Sequence, residues 1–223
     1  MRAAIYFTPP AGAPLTRAAA LWLGRDAFVG DATREPDAEL DPIVAEPARY
    51  GFHATMRAPF RIAEGFDLAD VDERLARFAA SRPTVKVPEM ALRQLGPFFA
   101  LVPAAPSEGL ATLEADLLEA FDGLRAPLTE AEIARRRPDR LSERQRAQLD
   151  RWGYPHVLED FRFHMTLTGP VEAARIDAVD ALLRERFAGF DGAPLAIDGL
   201  AVFIEPSPGD AFRVHSLHTF GGA

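Results

Sequence analysis

The sequence predicts an α+β fold of antiparallel sheets flanked by helices, and three observations carry that expectation. Strand-like runs follow one another directly at Thr84 to Leu92 and Phe98 to Val102, separated only by the Gly96-Pro97 turn signal. Strands in immediate succession pair antiparallel, because a parallel pair needs a long crossover. Apolar spacing in between is helical, clearest at Leu68 to Ser81, where Val71, Leu75, Phe78 and Ala79 share one face. The order strand, helix, pair of strands also occurs in each half of the chain, although no short fixed-period repeat is visible.

Taken in order, Ala3 to Thr8 is a short β-rich run stopped by Pro9 and Pro10. Leu15 to Leu23 is helical, entered after Pro14 and ended by Gly24. Asp31 to Pro47, rich in Asp, Glu and Pro, is expected as a loop, and Arg49 to Phe60 as a strand closed by Pro59. After the Leu68 helix and the two strands comes a helix over Leu110 to Leu124. Thr129 to Arg151 is highly charged, with Pro138 inside RRRPDR dividing two short helices. Arg162 to Thr168 is expected as a strand, Val171 to Phe187 as a helix, and Leu195 to Ile204 and Phe212 to Phe220 as closing strands.

Composition narrows the chemistry. The 223 residues carry 25 basic and 33 acidic side chains, a net charge of −8, which disfavours wrapping long nucleic acid but permits a small anion in a locally basic cleft. With no cysteine, disulfides, thiolate nucleophiles, iron–sulfur clusters and cysteine-held zinc are excluded, and a cytoplasmic location is the simple expectation. No apolar run reaches the roughly 18–20 residues of a membrane helix, so no membrane partner is expected. The sequences GxxxxGK[ST] and GxSxG, and a GxGxxG followed by an acidic residue, do not occur. All but one of the basic residues are arginine, Lys86 being the exception, which reflects genomic composition rather than function.

Two segments carry the chemistry: YGFHATMRAPF at Tyr50 to Phe60 and FRFHMTLTGP at Phe161 to Pro170. Each contains His-x-Thr, as His53-Ala54-Thr55 and His164-Met165-Thr166. On an extended strand His53, Thr55 and Arg57 share one face, and Arg162, His164, Thr166 and Thr168 share another. An imidazole, a hydroxyl and a guanidinium on each face suit phosphoester chemistry. One neutral imidazole takes a proton from water, a protonated one gives a proton to the leaving oxygen, and Thr and Arg hold the charged oxygens.

Together the two motifs resemble the 2H phosphoesterase superfamily, which includes the RNA-ligase-like cyclic phosphodiesterases. AIYFTPP near the start, LGRDAF at Leu23 to Phe28, YGFHAT, WGYP and FRFHMTLTGP make the chain similar, over nearly its whole length, to the family encoded in bacterial phosphonate-utilisation operons. The resemblance implies one bilobed, pseudo-duplicated domain over residues 1–223, with two antiparallel sheets around a central cleft and a charged helical insertion at about 125–155. It further implies metal-independent hydrolysis of a 2′,3′-cyclic or similar small phosphodiester without a cofactor, His53, Thr55, His164 and Thr166 being the catalytic positions. The substrate would be a cyclic nucleotide or a ribose cyclic phosphate, with RNA ends as another option. His156 stands where that family more often has an aromatic residue.

Arg57 and Arg162 are candidate phosphate ligands, and Tyr6 and Tyr154 candidate substrate contacts. Tyr6 shares its strand face with Thr8. His215 and His218 are three apart, so on a regular strand they face opposite sides and cannot grip one metal ion unless a bulge intervenes. Two rival functions remain open on sequence alone: a non-catalytic phosphometabolite binder and a 2′–5′ RNA ligase-like activity.

Overall fold

The computed structural model describes residues 1–222. Its strands are β1 (Arg2–Phe7), β2 (Ala54–Phe60), β3 (Val85–Val87), β4 (Met90–Leu95), β5 (Phe98–Pro103), β6 (Met165–Thr166), β7 (Leu195–Ile197), β8 (Gly199–Glu205) and β9 (Arg213–Thr219). The helices are α1 (Pro14–Leu23), α2 (Asp41–Tyr50), α3 (Leu68–Ala80), α4 (Glu108–Asp122), α5 (Glu130–Arg135), α6 (Glu143–Trp152) and α7 (Ile176–Arg186).

Two antiparallel sheets result, of unequal size. Seven strands run in the order β4-β5-β6-β2-β1-β8-β9, and β3 pairs with β7 alone. The larger sheet is symmetric about the β2–β6 junction, with β2-β1-β8 on one side matched by β6-β5-β4 on the other. These flanks are not the two halves of the sequence: β4 and β5 precede the second motif by more than sixty residues yet join its strand.

One face of the large sheet is covered by helices. Ala3, Ile5 and Phe7 of β1, Ala54 and Met56 of β2, and Met165 pack with Leu15 and Trp22 of α1, Val71 and Leu75 of α3, and Leu117 and Phe121 of α4. Period-two alternation hands the other face Tyr6 from β1, Thr55 from β2 and Thr166 from β6. That face is the floor of the cleft.

Three differences from the sequence expectation matter for the site. Helix α2 occupies part of the stretch expected as loop, because Pro42 suits a helix N-terminus while Pro47 sits inside it. Pro47 has no N–H for the carbonyl four residues back, and that carbonyl, Ile43 O, instead accepts the Gly169 N–H at 2.6 Å. The prolines therefore do not abolish the helix; one ties it to the segment after the second motif. The second-motif strand is only Met165–Thr166, since the chain on either side of it bends into loops. Leu195 to Ile204 divides at Asp198 between the two sheets.

Candidate functional site

β2 and β6 pair through Ala54 and Met165, whose side chains both lie in the core. Carrying that antiparallel ladder one residue each way sets His53 across from Thr166 and Thr55 across from His164. Directly opposed residues have Cβ atoms about 4.5–5.5 Å apart. The two His-x-Thr motifs are thus related by a local twofold, and His53, Thr55, His164 and Thr166 all line one cleft of about 910 Å³.

Each imidazole is held the same way. His53 Nδ1 lies 2.8 Å from the Gly51 carbonyl oxygen, and His164 Nδ1 lies 2.7 Å from that of Arg162. A carbonyl only accepts, so both Nδ1 atoms carry the hydrogen and both Nε2 atoms keep the lone pair. The Thr55 hydroxyl is 3.3 Å from His53 Nε2. The rings differ in surroundings. His53 stacks on Tyr6 with centroids 3.8 Å apart and planes at 18°. Burial pushes its pKa down to about 4, opposed by the Gly51 carbonyl and reinforced by the nearby His164. His164 is also half-buried, its Nδ1 contact the more exposed of the two, and has Phe98 tilted beside it at 6.0 Å.

The loop before the first motif is built to hold His53. The buried Thr8 hydroxyl donates to the Phe52 carbonyl at 2.9 Å. Gly51 has φ 76° and ψ 167°, a region open essentially to glycine alone, and a Cβ there would stand 2.5 Å from that of Ala27. Gly51→Ala is expected to destabilise the fold by about 2–3 kcal/mol and to slow turnover by displacing the carbonyl that orients His53; a urea titration and a rate measurement on the same sample check both.

Tyr6 and Tyr154 line the cleft. Arg57 does not. β1 and β2 pair as Tyr6 with Thr55 but Ile5 with Arg57, so β2 carries an extra residue at this step. The bulge turns Arg57 to the side of Ile5, under the helices, where it is 3% exposed. There its Nη2 lies 3.6 Å from Asp122 of α4, and burial lowers its pKa to about 10. Neither Arg57 Nη atom has a hydrogen-bond partner, and a cavity of about 20 Å³ beside it and Arg125 has room for one water-sized partner. Asp122 also pairs with Arg125 and Arg151. Replacing Arg57 by Met is therefore expected to leave turnover unchanged and stability within about 1 kcal/mol of the original or above it, read from the urea midpoint.

Arg162 is exposed outside the cleft and contributes its backbone carbonyl, to His164, rather than its guanidinium. The short strand explains this, since residue 162 precedes β6 and does not keep its alternation. His156 is also exposed, its ring edge-on to Tyr154 at 5.6 Å, and does not line the cleft. His215 falls where the β8–β9 register slips, between Val202–Ser216 and Phe203–Val214, so a bulge does intervene there. His218 Nε2 is nonetheless engaged with Asp72 Oδ1 at 2.8 Å, a carboxylate that also accepts from Ser216. Among the described residues no group of three His, Asp or Glu side chains converges as a metal site.

Residues 55–213 match the family model described as "Protein of unknown function (DUF1045)". The chain belongs to this family. Two curated relatives, both named "Ribose 1,5-bisphosphate phosphokinase PhnN", come from Janthinobacterium sp. (strain Marseille) and Laribacter hongkongensis (strain HLHK9). Each is 38% identical to the chain, over 99% and 97% of its length respectively, and in each case the alignment covers 51% of the relative. The chain thus spans about half the length of the curated relatives it matches. Among solved structures, TT0787 of Thermus thermophilus is similar with TM-score 0.48 and 14% identity, over 100% of this chain and 99% of that one. E. coli LigT complexed with 3′-AMP is similar with TM-score 0.48 and 12% identity, over 98% and 97%.

In this DUF1045 member the cleft holds functional groups that sequence reading did not single out. Tyr50 ends α2, its ring stacked on Phe212 at 5.1 Å and tilted 6.2 Å from His53. Glu205, 0% exposed at the end of β8, binds Arg2 at 2.5 Å and Arg49 at 2.5 Å and accepts the Gly209 N–H. Arg61 is paired with Glu132, which lies in the first turn of α5. The cleft wall counts five arginines and three glutamates, an excess of two positive charges in an acidic chain. Partners two hundred residues apart leave no local signal, although Tyr50 stands inside the first motif segment.

Proposed function

We propose that the protein is a phosphodiesterase that opens a small cyclic phosphodiester by two-histidine acid–base catalysis. The observation that carries this reading is the antiparallel pairing of the two motifs, with both imidazoles held through Nδ1 and both Nε2 atoms left as the reactive nitrogens in one basic cleft.

His53 is the general base. Its low pKa keeps it neutral at physiological pH, and its Nε2 accepts a proton from water as the water oxygen attacks phosphorus. His164 donates a proton from Nε2 to the sugar oxygen as the phosphorus–oxygen bond to it breaks. The product is a phosphomonoester and a free hydroxyl. Thr55 and Thr166 hydroxyls donate to the non-bridging oxygens as charge builds there, and this route asks no metal ion for either proton transfer.

The relatives' names support a ribose phosphate as the substrate class, because opening a cyclic phosphate on a ribose that already carries a phosphate gives a ribose bisphosphate. This also fits the likeness to phosphonate-operon proteins. The kinase activity in those names is not assigned to this chain, which lacks the GxxxxGK[ST] sequence. The test is turnover of ribose 2,3-cyclic phosphate and of 2′,3′-cyclic nucleotides with excess EDTA present. Hydrolysis to a monoester is expected; tight binding without turnover would favour the phosphometabolite binder instead, and joined products from RNA halves would favour ligation.

A further inference from the structure

The cleft holds more cation and hydroxyl than the hydrolysis of one phosphodiester uses. The chain has three tyrosines, and all three, Tyr6, Tyr50 and Tyr154, line it. Each ring has side chains packed against it. Tyr6 lies between His53 and Phe203, Tyr50 between Phe212 and the Arg49 guanidinium at 5.2 Å, and Tyr154 under the Arg136 guanidinium at 4.9 Å with His156 at its edge. Rings packed in this way have their hydroxyls left to offer to a ligand.

Tyr6 is 1% exposed and, like Tyr154, lines the cleft. Burial, with Tyr50 and Tyr154 nearby, raises the Tyr6 pKa well above that of an ordinary phenol against the opposing pull of Arg2 and Arg136, so the group stays protonated and donates. Arg136, just past α5, is half-buried. Arg2 and Arg49 share Glu205 and Arg61 has Glu132, whereas Arg136 has no carboxylate partner among the described residues.

We propose that Arg136, with the hydroxyls of Tyr6, Tyr50 and Tyr154, forms a subsite for a second anionic group, a phosphomonoester on the same sugar whose cyclic phosphodiester is opened between His53 and His164. This rests on the phosphodiesterase reading and narrows its substrate to a sugar that is phosphorylated twice. A planar guanidinium resting 4.9 Å from the Tyr154 ring centre, with no carboxylate partner among the described residues, has an N–H fork suited to bidentate recognition of a phosphate, and phenolic donors would complete the remaining oxygens. Arg136 and Tyr154 of this subsite belong to the charged 125–155 segment, which places part of substrate choice on an element apart from the two motif strands.

The experiment compares ribose 2,3-cyclic phosphate with its 5-phosphorylated form. The wild-type protein is expected to favour the phosphorylated substrate by about 10²-fold in kcat/KM, the worth of a charge-assisted bidentate contact. Arg136→Met should collapse that ratio towards unity, and Arg136→Lys should restore part of it. A wild-type ratio near one, or an Arg136→Met variant that slows both substrates equally, would overturn the subsite. Ribose 5-phosphate binding by calorimetry reads the subsite separately: it should be measurable in the wild type and lost in Arg136→Met, and its absence from the wild type would overturn the proposal. Failure to turn over either substrate while ribose 5-phosphate still binds at Arg136 would instead sink the phosphodiesterase reading.

Discussion

Replacing His53 or His164 by alanine is expected to lower kcat on a cyclic ribose phosphate by at least about 10²-fold, the usual worth of one positioned acid or base. The two variants should differ in their pH profiles. In the free enzyme His53 must be neutral to accept a proton, and burial holds its pKa at about 4, below the ordinary value of 6.5. The sign follows: above pH 4 the base is in its working form, so kcat/KM should keep its acid side down to about pH 4 and fall only below it. His164→Ala should retain that acid limb at a reduced rate, because the base is still present. His53→Ala should lose it. An acid limb in the wild type near pH 6.5, the ordinary histidine value, would contradict the assignment of His53 as the base. Burial of a neutral imidazole also means that stability is retained above the unfolded pKa and lost as pH falls towards 4, where the unfolded chain takes the proton more readily.

Glu205→Gln is expected to destabilise the protein by about 2–3 kcal/mol, lowering the urea midpoint. The carboxylate is fully buried and holds two arginines at 2.5 Å, while an amide offers one acceptor oxygen and leaves the second guanidinium facing its NH₂. The estimate sits below the usual cost of breaking a buried pair because Arg2 and Arg49 are each about one-third exposed and can turn to water. Hydrogen bonds from Arg2 and the Gly209 N–H, with the charges of Arg2 and Arg49, hold Glu205 below the ordinary carboxylate range despite its burial. Its contribution is therefore complete above the unfolded carboxylate pKa and disappears as pH falls through the lower folded value. The gap in stability between wild type and Glu205→Gln should close at acid pH; a constant gap from neutral pH to the acid end would show that the pair is not the cause.

Much of this arrangement is legible in the residues. Period-two alternation places His53 and Thr55, and His164 and Thr166, on one face each, and the helix at Leu68 follows from its apolar spacing almost to the residue. The readings that fail do so for physical reasons confined to particular positions. Alternation assigns Arg57 to the cleft, but one extra residue in β2 turns it to the other face before a second register shift brings Phe60 back in phase, and a bulge has no signature in this stretch. Helix α2 is hidden because Pro47 normally breaks a helix, whereas here Gly169, far along the chain, supplies a donor for the freed Ile43 carbonyl. Arg136 reads as part of a solvated charge run until Tyr154 is brought beneath it. The α+β class and the four motif residues follow from local pattern. The bulge, the buried Glu205 clamp and the tyrosine cluster depend on tertiary pairing.

The claim on which the rest depends is that both imidazoles act on a single phosphorus. Histidine-labelled protein titrated with a non-hydrolysable cyclic phosphonate, followed by nitrogen NMR, tests it directly. The His53 and His164 Nε2 resonances should move together and saturate at one concentration, while their Nδ1 resonances keep the signature of a hydrogen held to a carbonyl. Movement of one ring alone, or saturation of the two at different concentrations, would show that they do not meet across one ligand.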